Sequence, residues 1–191
     1  MSNTHQPRRN FLRIGTAGLL TTFISKFPKF SFGQYIGKRK GIVVHEDEGE
    51  HIITGRRKVP ITIKISKEKH GIDNISFCSE DIIPGRKIRI HKHLNSDELI
   101  FIHHGEGIFT LDEETIPVKS GTVVFVPRGV WHGLENTGKE SMRMLFGYSP
   151  AGFEGYFREN GTVAGMQPKE RTPEQYAMAE KKYGMVYKEN L

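Results

Sequence analysis

The chain has 191 residues, 36% of them hydrophobic and 26% charged, with 21 glycines and nine prolines. It is long enough for one folded domain plus an extension, and too apolar to be a disordered chain. The net charge of +6 is confined to one end: residues 1–33 hold Arg8, Arg9, Arg13, Lys26 and Lys29 and no acid, which leaves 23 basic against 22 acidic residues elsewhere, so a nucleic-acid partner loses its main support.

Residues 1–33 read as a leader. The arginine pair Arg8-Arg9 precedes Phe11 and Leu12, and an apolar run of 11 residues follows from Ile14 to Ile24. That run is too short to span a bilayer and fits the apolar stretch of a signal peptide. Ser31 and Gly33 are small residues at the offsets expected for cleavage. The sequence RRNFLR resembles the bacterial twin-arginine export signal, with Arg13 where lysine is usual. The resemblance implies passage through the twin-arginine machinery in a folded state, a periplasmic or otherwise exported destination, and no membrane anchor after processing.

Residues 34–150 carry the pattern of an all-β domain. After a basic connector, the apolar patches at Ile42–Val44 and Ile52-Ile53, with a charged turn between them, mark a first strand region. PITIKIS (60–66) alternates Ile61, Ile63 and Ile65 with polar residues, a strand with one buried face. ISFCSEDI is a further strand ended by Pro84-Gly85. It contains the only cysteine, Cys78, which is expected in the core and excludes an internal disulfide. KIRIHKH alternates Ile88 and Ile90 with Arg89, His91 and His93. ELIFIHHGEGIFTL reads as a strand pair turning at Gly105–Gly107, DEET as a turn, and TVVFVP, VWHGLEN and SMRMLFGYS as three more strands. Strands recurring every eight to twelve residues between Gly, Pro, Asn or Asp indicate a barrel or sandwich and not βαβ units.

Residues 151–191 change character and are expected to form a helical extension. Phe153, Tyr156 and Phe157 recur at helical spacing up to Asn160-Gly161. Thr172-Pro173-Glu174-Gln175 fits a capping box with proline at the first helical position, opening a helix that ends at Gly184. Tyr176, Ala179 and Tyr183 form its expected buried face.

Four residues stand out chemically. His91 and His93 are alternate residues of one strand, so they project the same way with Cα atoms roughly 7 Å apart. Glu98 follows a short turn, and His132 comes from a later hairpin. Three imidazoles and a carboxylate suit one divalent transition metal ion: iron, manganese, nickel, copper, cobalt or zinc. Four protein ligands leave one or two positions open for chemistry. Arg89 shares the parity of the histidines and either orients an anionic substrate or pairs with a carboxylate at the rim. His104 shares the parity of Glu98 and is expected to face inward, with His103 outward; roughly 20 Å along the strand from Glu98, it does not reach the metal, and both are expected to be structural. Met144, Phe146 and Tyr148 share a core face that doubles as an apolar wall, and Trp131 is expected to point away from His132.

The spacing of these residues resembles the two motifs of the cupin superfamily. Gly85, His91, His93, Glu98 and Gly105 match the first motif, and Gly121, Pro127, Gly129, His132 and Asn136 the second, with fifteen residues between Gly105 and Gly121. The resemblance implies a single-domain jelly-roll β-barrel with short C-terminal helices and a metal held by His91, His93, Glu98 and His132. Beyond the motifs, the run from EGEHI to SPAGFEGYF is similar to the quercetin-dioxygenase-like group of small bacterial cupins. That implies a dioxygenase-like oxidoreductase acting on a small enolisable or aromatic molecule, with Glu98 also serving as catalytic base. A cupin that binds or senses a small molecule or metal without turnover, and a sugar isomerase or epimerase, are the alternatives. Cupins often dimerise, which implies a homodimer in which the C-terminal helices are candidates for exchange between barrels.

Overall fold

Alternation in the sequence becomes two antiparallel sheets. The computed structural model describes residues 40–188; the leader expected over residues 1–33 lies outside the described residues. The strands are β1 (Glu50–Thr54), β2 (Pro60–Ile65), β3 (Phe77–Ile82), β4 (Lys87–His93), β5 (Asp97–His104), β6 (Glu106–Leu111), β7 (Glu114–Lys119), β8 (Val123–Val126), β9 (His132–Asn136), β10 (Met142–Ser149), β11 (Gly161–Val163) and β12 (Met185–Tyr187). The helices are α1 (Lys67–His70), α2 (Glu154–Asn160) and α3 (Pro173–Tyr183). One sheet runs β11-β1-β2-β3-β10-β5-β8 and the other β12-β4-β9-β6-β7. No helix among the described residues is long and apolar enough to cross a membrane.

The core lies between the sheets. Ile61, Ile63, Cys78, Ile100, Ile102 and Phe146 face it from the first sheet, and Phe109 and Leu134 from the second, each at most 3% exposed. Burying such a side chain contributes roughly 1.5–3 kcal/mol. Gly105, between β5 and β6, has φ of +93°, a backbone region that favours glycine. It turns the chain from one sheet into the other.

Four local expectations differ from the structure. Ile42–Val44 forms no strand, and β1 begins only at Glu50. The expected DEET turn is only Asp112-Glu113: β7 begins at Glu114, and the sequence pattern hides it because Pro117 interrupts it. β7 is the outer strand of its sheet, where a missing N–H costs no ladder hydrogen bond. In β4, Ile88 pairs with Leu134 and His91 with His132: three residues face two, a β-bulge that reverses the alternation. Ile88 therefore packs against the core on the same side as His91 and His93, not opposite them. At the end of β5, Arg143 pairs with His104 but Met144 with Ile102. This second bulge leaves both His103 and His104 exposed, with His104 3.3 Å from Glu140 instead of facing inward.

The segment after Pro150 adds strands as well as helices. Phe153, Tyr156 and Phe157 are buried in and beside α2. The Thr172 capping box opens α3, and Gly184 closes it with φ of 70°. Ala179 is fully buried, while Tyr176 and Tyr183 are half-buried. β11 pairs with β1 and β12 with β4 of the same chain, so each sheet gains an outer strand from this segment.

Candidate metal centre

The two sheets meet at four polar side chains. His91 and His93 come from β4, and His132 begins β9, directly across from His91. Glu98 comes from β5, in the other sheet. All four residues are at most 5% exposed, and their potential ligand atoms lie within 4.8 Å of one another. A buried polar cluster in an apolar core is costly unless something satisfies it.

The backbone holds the rings in place. His91 donates from Nδ1 to the Arg89 carbonyl (2.7 Å) and His132 from Nδ1 to the Val130 carbonyl (3.1 Å). A carbonyl only accepts, so both rings carry the proton on Nδ1 and turn Nε2 inward. The chain at the end of β8 ties in the rest. Gly129 donates to the His93 carbonyl (2.7 Å). Asp97, beside Glu98, accepts from the Arg128 backbone (2.9 Å) and from its guanidinium (3.0 Å at two oxygens). Phe153 stands edge-on to the His93 ring at 4.2 Å, and Phe109 stacks on His132 at 6.3 Å.

The donor set fits a cation. Neither ring nitrogen of His93 has a hydrogen-bond partner, although its Nε2 is 3.2 Å from Glu98 Oε2. His132 faces acceptors on both sides, with Nε2 2.8 Å from Glu98 Oε2, so satisfying both contacts takes a proton on each nitrogen; a metal ion at the centre replaces the inner one. Burial, followed by the charges of His132 and His93, pushes the His91 imidazole well below its ordinary value. It therefore stays neutral and free to ligate. Burial opposes ionisation of Glu98, but the adjoining His132 and His93 outweigh it and hold the carboxyl below its usual range. The centre thus presents imidazole nitrogens and a carboxylate, a set suited to a divalent transition metal.

The cluster opens onto a cavity of about 250 Å³. Ile100, Phe109, Phe146, Tyr148 and Phe153 form its apolar walls. Tyr148 is the cross-strand neighbour of Glu98; burial, then the Glu98 charge, pushes its hydroxyl well above the ordinary value, which keeps it a neutral donor. Met144, Phe146 and Tyr148 line the cavity, as the apolar-wall reading expects. Arg89 also lines it, with the guanidinium 4.6 Å from the Tyr187 ring. Trp131 lies outside, under Lys92 at 4.3 Å. Sequence reasoning missed the Arg57–Glu80 ion pair in the cavity wall. Its one readable sign is Glu80 itself, a charge in step with the buried Cys78 and Ile82 of β3.

Comparison with known proteins agrees with this geometry. The family model of the cupin domain matches residues 79–148. An oxalate-binding protein of Thermotoga maritima is 32% identical over 91 residues, which cover 48% of this chain and 75% of that protein. The chain is a member of the cupin family. An uncharacterized protein of Methanocaldococcus jannaschii is 38% identical over 68 residues, covering 35% of this cupin and 54% of its relative, so the chain spans about half the length of that protein. Among solved structures, a predicted oxalate decarboxylase of Thermotoga maritima shares 29% identity with a TM-score of 0.51, over 57% of this cupin and 99% of that chain. The fold is the expected all-β cupin jelly roll with few, short helices.

Proposed function

We propose that this cupin is a metal-dependent oxidoreductase of the quercetin-dioxygenase-like kind, acting on a small enolisable or aromatic molecule. One observation carries the reading: four buried ligand atoms converge at an aromatic-walled cavity. His91, His93, Glu98 and His132 would hold the ion. A bound divalent transition metal supplies Lewis acidity toward a substrate oxygen and, where redox-active, a route for electrons to dioxygen. The chain's own part is to place the substrate and move a proton. Glu98, ionised in this cluster, would take the proton of an enol or phenol at its carboxylate. Phe109, Phe146 and Phe153 exclude water and stack a flat substrate. The test is oxygen uptake by protein loaded with iron, manganese or copper, with a flavonol and a β-diketone offered as substrates. Uptake that requires both metal and substrate is expected; none with any combination would sink the oxidative reading.

A second reading is capture without turnover, favoured by the name of the oxalate-binding relative. Oxalate is a small dianion, whereas this cavity is larger and mainly apolar, so an aromatic ligand fits it better. Elemental analysis of protein from its native compartment separates the oxidative reading from both capture and a sugar isomerase, because only the oxidative reading requires a redox-active ion.

Export and assembly complete the proposal. Arg8-Arg9 and the apolar run behind them support export by the twin-arginine route, and with it uptake of metal before translocation. Replacement of both arginines by lysine should block export. Leu99 pairs with Phe125 and Phe101 with Val123 across β5 and β8. Three of these side chains are about half exposed or more, which supports a homodimer; a monomeric mass in solution would overturn it.

A further inference from the structure

The cavity has a second polar end, away from the metal cluster. Along β10, Tyr148 pairs with Glu98 and Met144 with Glu80. Four residues separate those pairs, so the two carboxylates stand about 13 Å apart along the strand, with Ile100 and Phe146 between. Glu80 is 3% exposed. It is held by both terminal nitrogens of Arg57, one at 2.9 Å. Arg57 spends two of its five N–H groups there and still lines the cavity.

Other cations gather at the same end. The Arg56 guanidinium lies 4.4 Å from the Tyr176 ring and pairs with Glu180 at 2.9 Å. Arg89 approaches Tyr187 at 4.6 Å and Arg56 approaches the same ring at 5.9 Å. Glu80 offsets Arg57 and Glu180 offsets Arg56. Among the described residues Arg89 has no carboxylate partner. Its position follows from the bulge in β4, which places Arg89 as well as Ile88 and His91 along the cavity. A further observation points to a ligand. Asn160 also lines the cavity, is 5% exposed, and neither its side-chain nitrogen nor its oxygen has a hydrogen-bond partner. An orphaned amide of this kind costs stability unless a bound group completes it.

Resting on the oxidative reading above, we propose that this end is an anion subsite, and that the substrate is an aromatic or enolisable carboxylic acid. Its enol or phenol oxygen faces the four-residue cluster. Its carboxylate lies at Arg89, against the fixed guanidinium of Arg57, with Asn160 completing the polar contacts. The aromatic walls cover the part between. Arginine suits this task because its planar fork matches a carboxylate and stacks on tyrosine at the same time.

The test uses a matched pair of probes, 4-hydroxyphenylacetate and 4-hydroxyphenylacetamide, titrated calorimetrically into the full chain loaded with zinc, which is redox-silent. The acid is expected to bind at least tenfold more tightly than the amide. Arg89→Met, at an exposed position, should bring the two within about twofold without changing zinc stoichiometry. His93→Ala should weaken both probes and keep the preference for the acid. Equal affinities in the parent, a preference that survives Arg89→Met, a preference lost in His93→Ala (the carboxylate then sits on the metal), or no binding of either probe would each overturn the subsite. Oxygen uptake is measured separately. A retained acid preference with no oxygen uptake refutes the oxidative reading alone, and the reverse result refutes the subsite alone.

Discussion

Metal removal gives the most direct test of the centre. Without an ion, the cluster keeps His93 with no hydrogen-bond partner on either nitrogen, and each such buried group costs about 1–3 kcal/mol. An ion that binds only the folded chain relieves this. At a hundredfold excess over its dissociation constant it adds about 2.7 kcal/mol of stability. The described body spans residues 40–188. For a domain of that size about 1 kcal/mol moves the melting temperature by about 2–4 °C, so metal should raise it by about 5–11 °C. The assay is thermal unfolding by circular dichroism after treatment with a chelator, then with zinc, manganese, cobalt, nickel, copper or ferrous iron restored one at a time. His93→Ala removes a ligand and an unsatisfied ring together. Its metal-free melting temperature should therefore fall by less than a core truncation would cost, and its metal-dependent rise should vanish. A parent that melts identically with and without every ion refutes the reasoning. So does a His93→Ala protein that keeps the full rise.

Three further outcomes follow from the packing and charges. Phe109→Ala removes a ring that is 1% exposed and stacked on His132. It should cost about 3–5 kcal/mol in urea unfolding, and a loss under about 1 kcal/mol would show that the site is not packed as described. Gly107→Ala would place a Cβ 2.1 Å from the Glu135 carbonyl oxygen. β6 and β9 would have to separate, so lower stability and faster amide exchange across that pair are expected, and unchanged exchange would contradict the register. Asp97 is drawn down to about 2, chiefly by the hydrogen bond from the Arg128 side chain. Its folded value lies below the unfolded one of about 3.9, so its contribution is full above about pH 4 and disappears as pH falls through about 2. The gap in urea midpoint between the parent and Asp97→Asn should therefore narrow over that window, and a constant gap would refute the assignment.

The parts of the fold that were readable are those in which a residue's own strand decides its place. Ile61 and Ile63 in β2, and Cys78 in β3, alternate with polar neighbours and all reach the core. The α3 helix was readable for the same reason, since Thr172, Pro173 and Gln175 act on their own backbone. Three of the four cluster residues were legible because their spacing is written locally, two residues apart in β4 and across one short turn to Glu98; His132, 34 residues beyond Glu98, was legible only through the spacing of the second motif. What escaped was decided by partners distant in the chain. Arg57 meets Glu80 across 23 residues, and nothing around Arg57 marks it. β11 and β12 are three residues each, too short to carry a period, and they exist because β1 and β4 present open edges. His104 was misplaced because the bulge lies in its pairing with Arg143, which its own strand does not reveal.

The bulge in β4 bears most directly on function. A regular strand from Ile88 to His93 would set the isoleucines on one face and the histidines on the other. The core needs Ile88 inward, since it packs against the buried cluster of apolar side chains. The centre needs His91 and His93 inward, since each is at most 5% exposed and converges with Glu98 and His132. Both demands cannot be met at a period of two. One extra residue between the Leu134 and His132 pairings meets them together: Arg89 and Ile90 stand opposite Gly133 alone, and of the two Arg89 lines the cavity. The irregularity that lets β4 serve both the core and the metal ligands therefore also brings to the cavity a guanidinium that has no carboxylate partner among the described residues. Metal ligation and anion recognition thus trace to one local departure from sheet geometry.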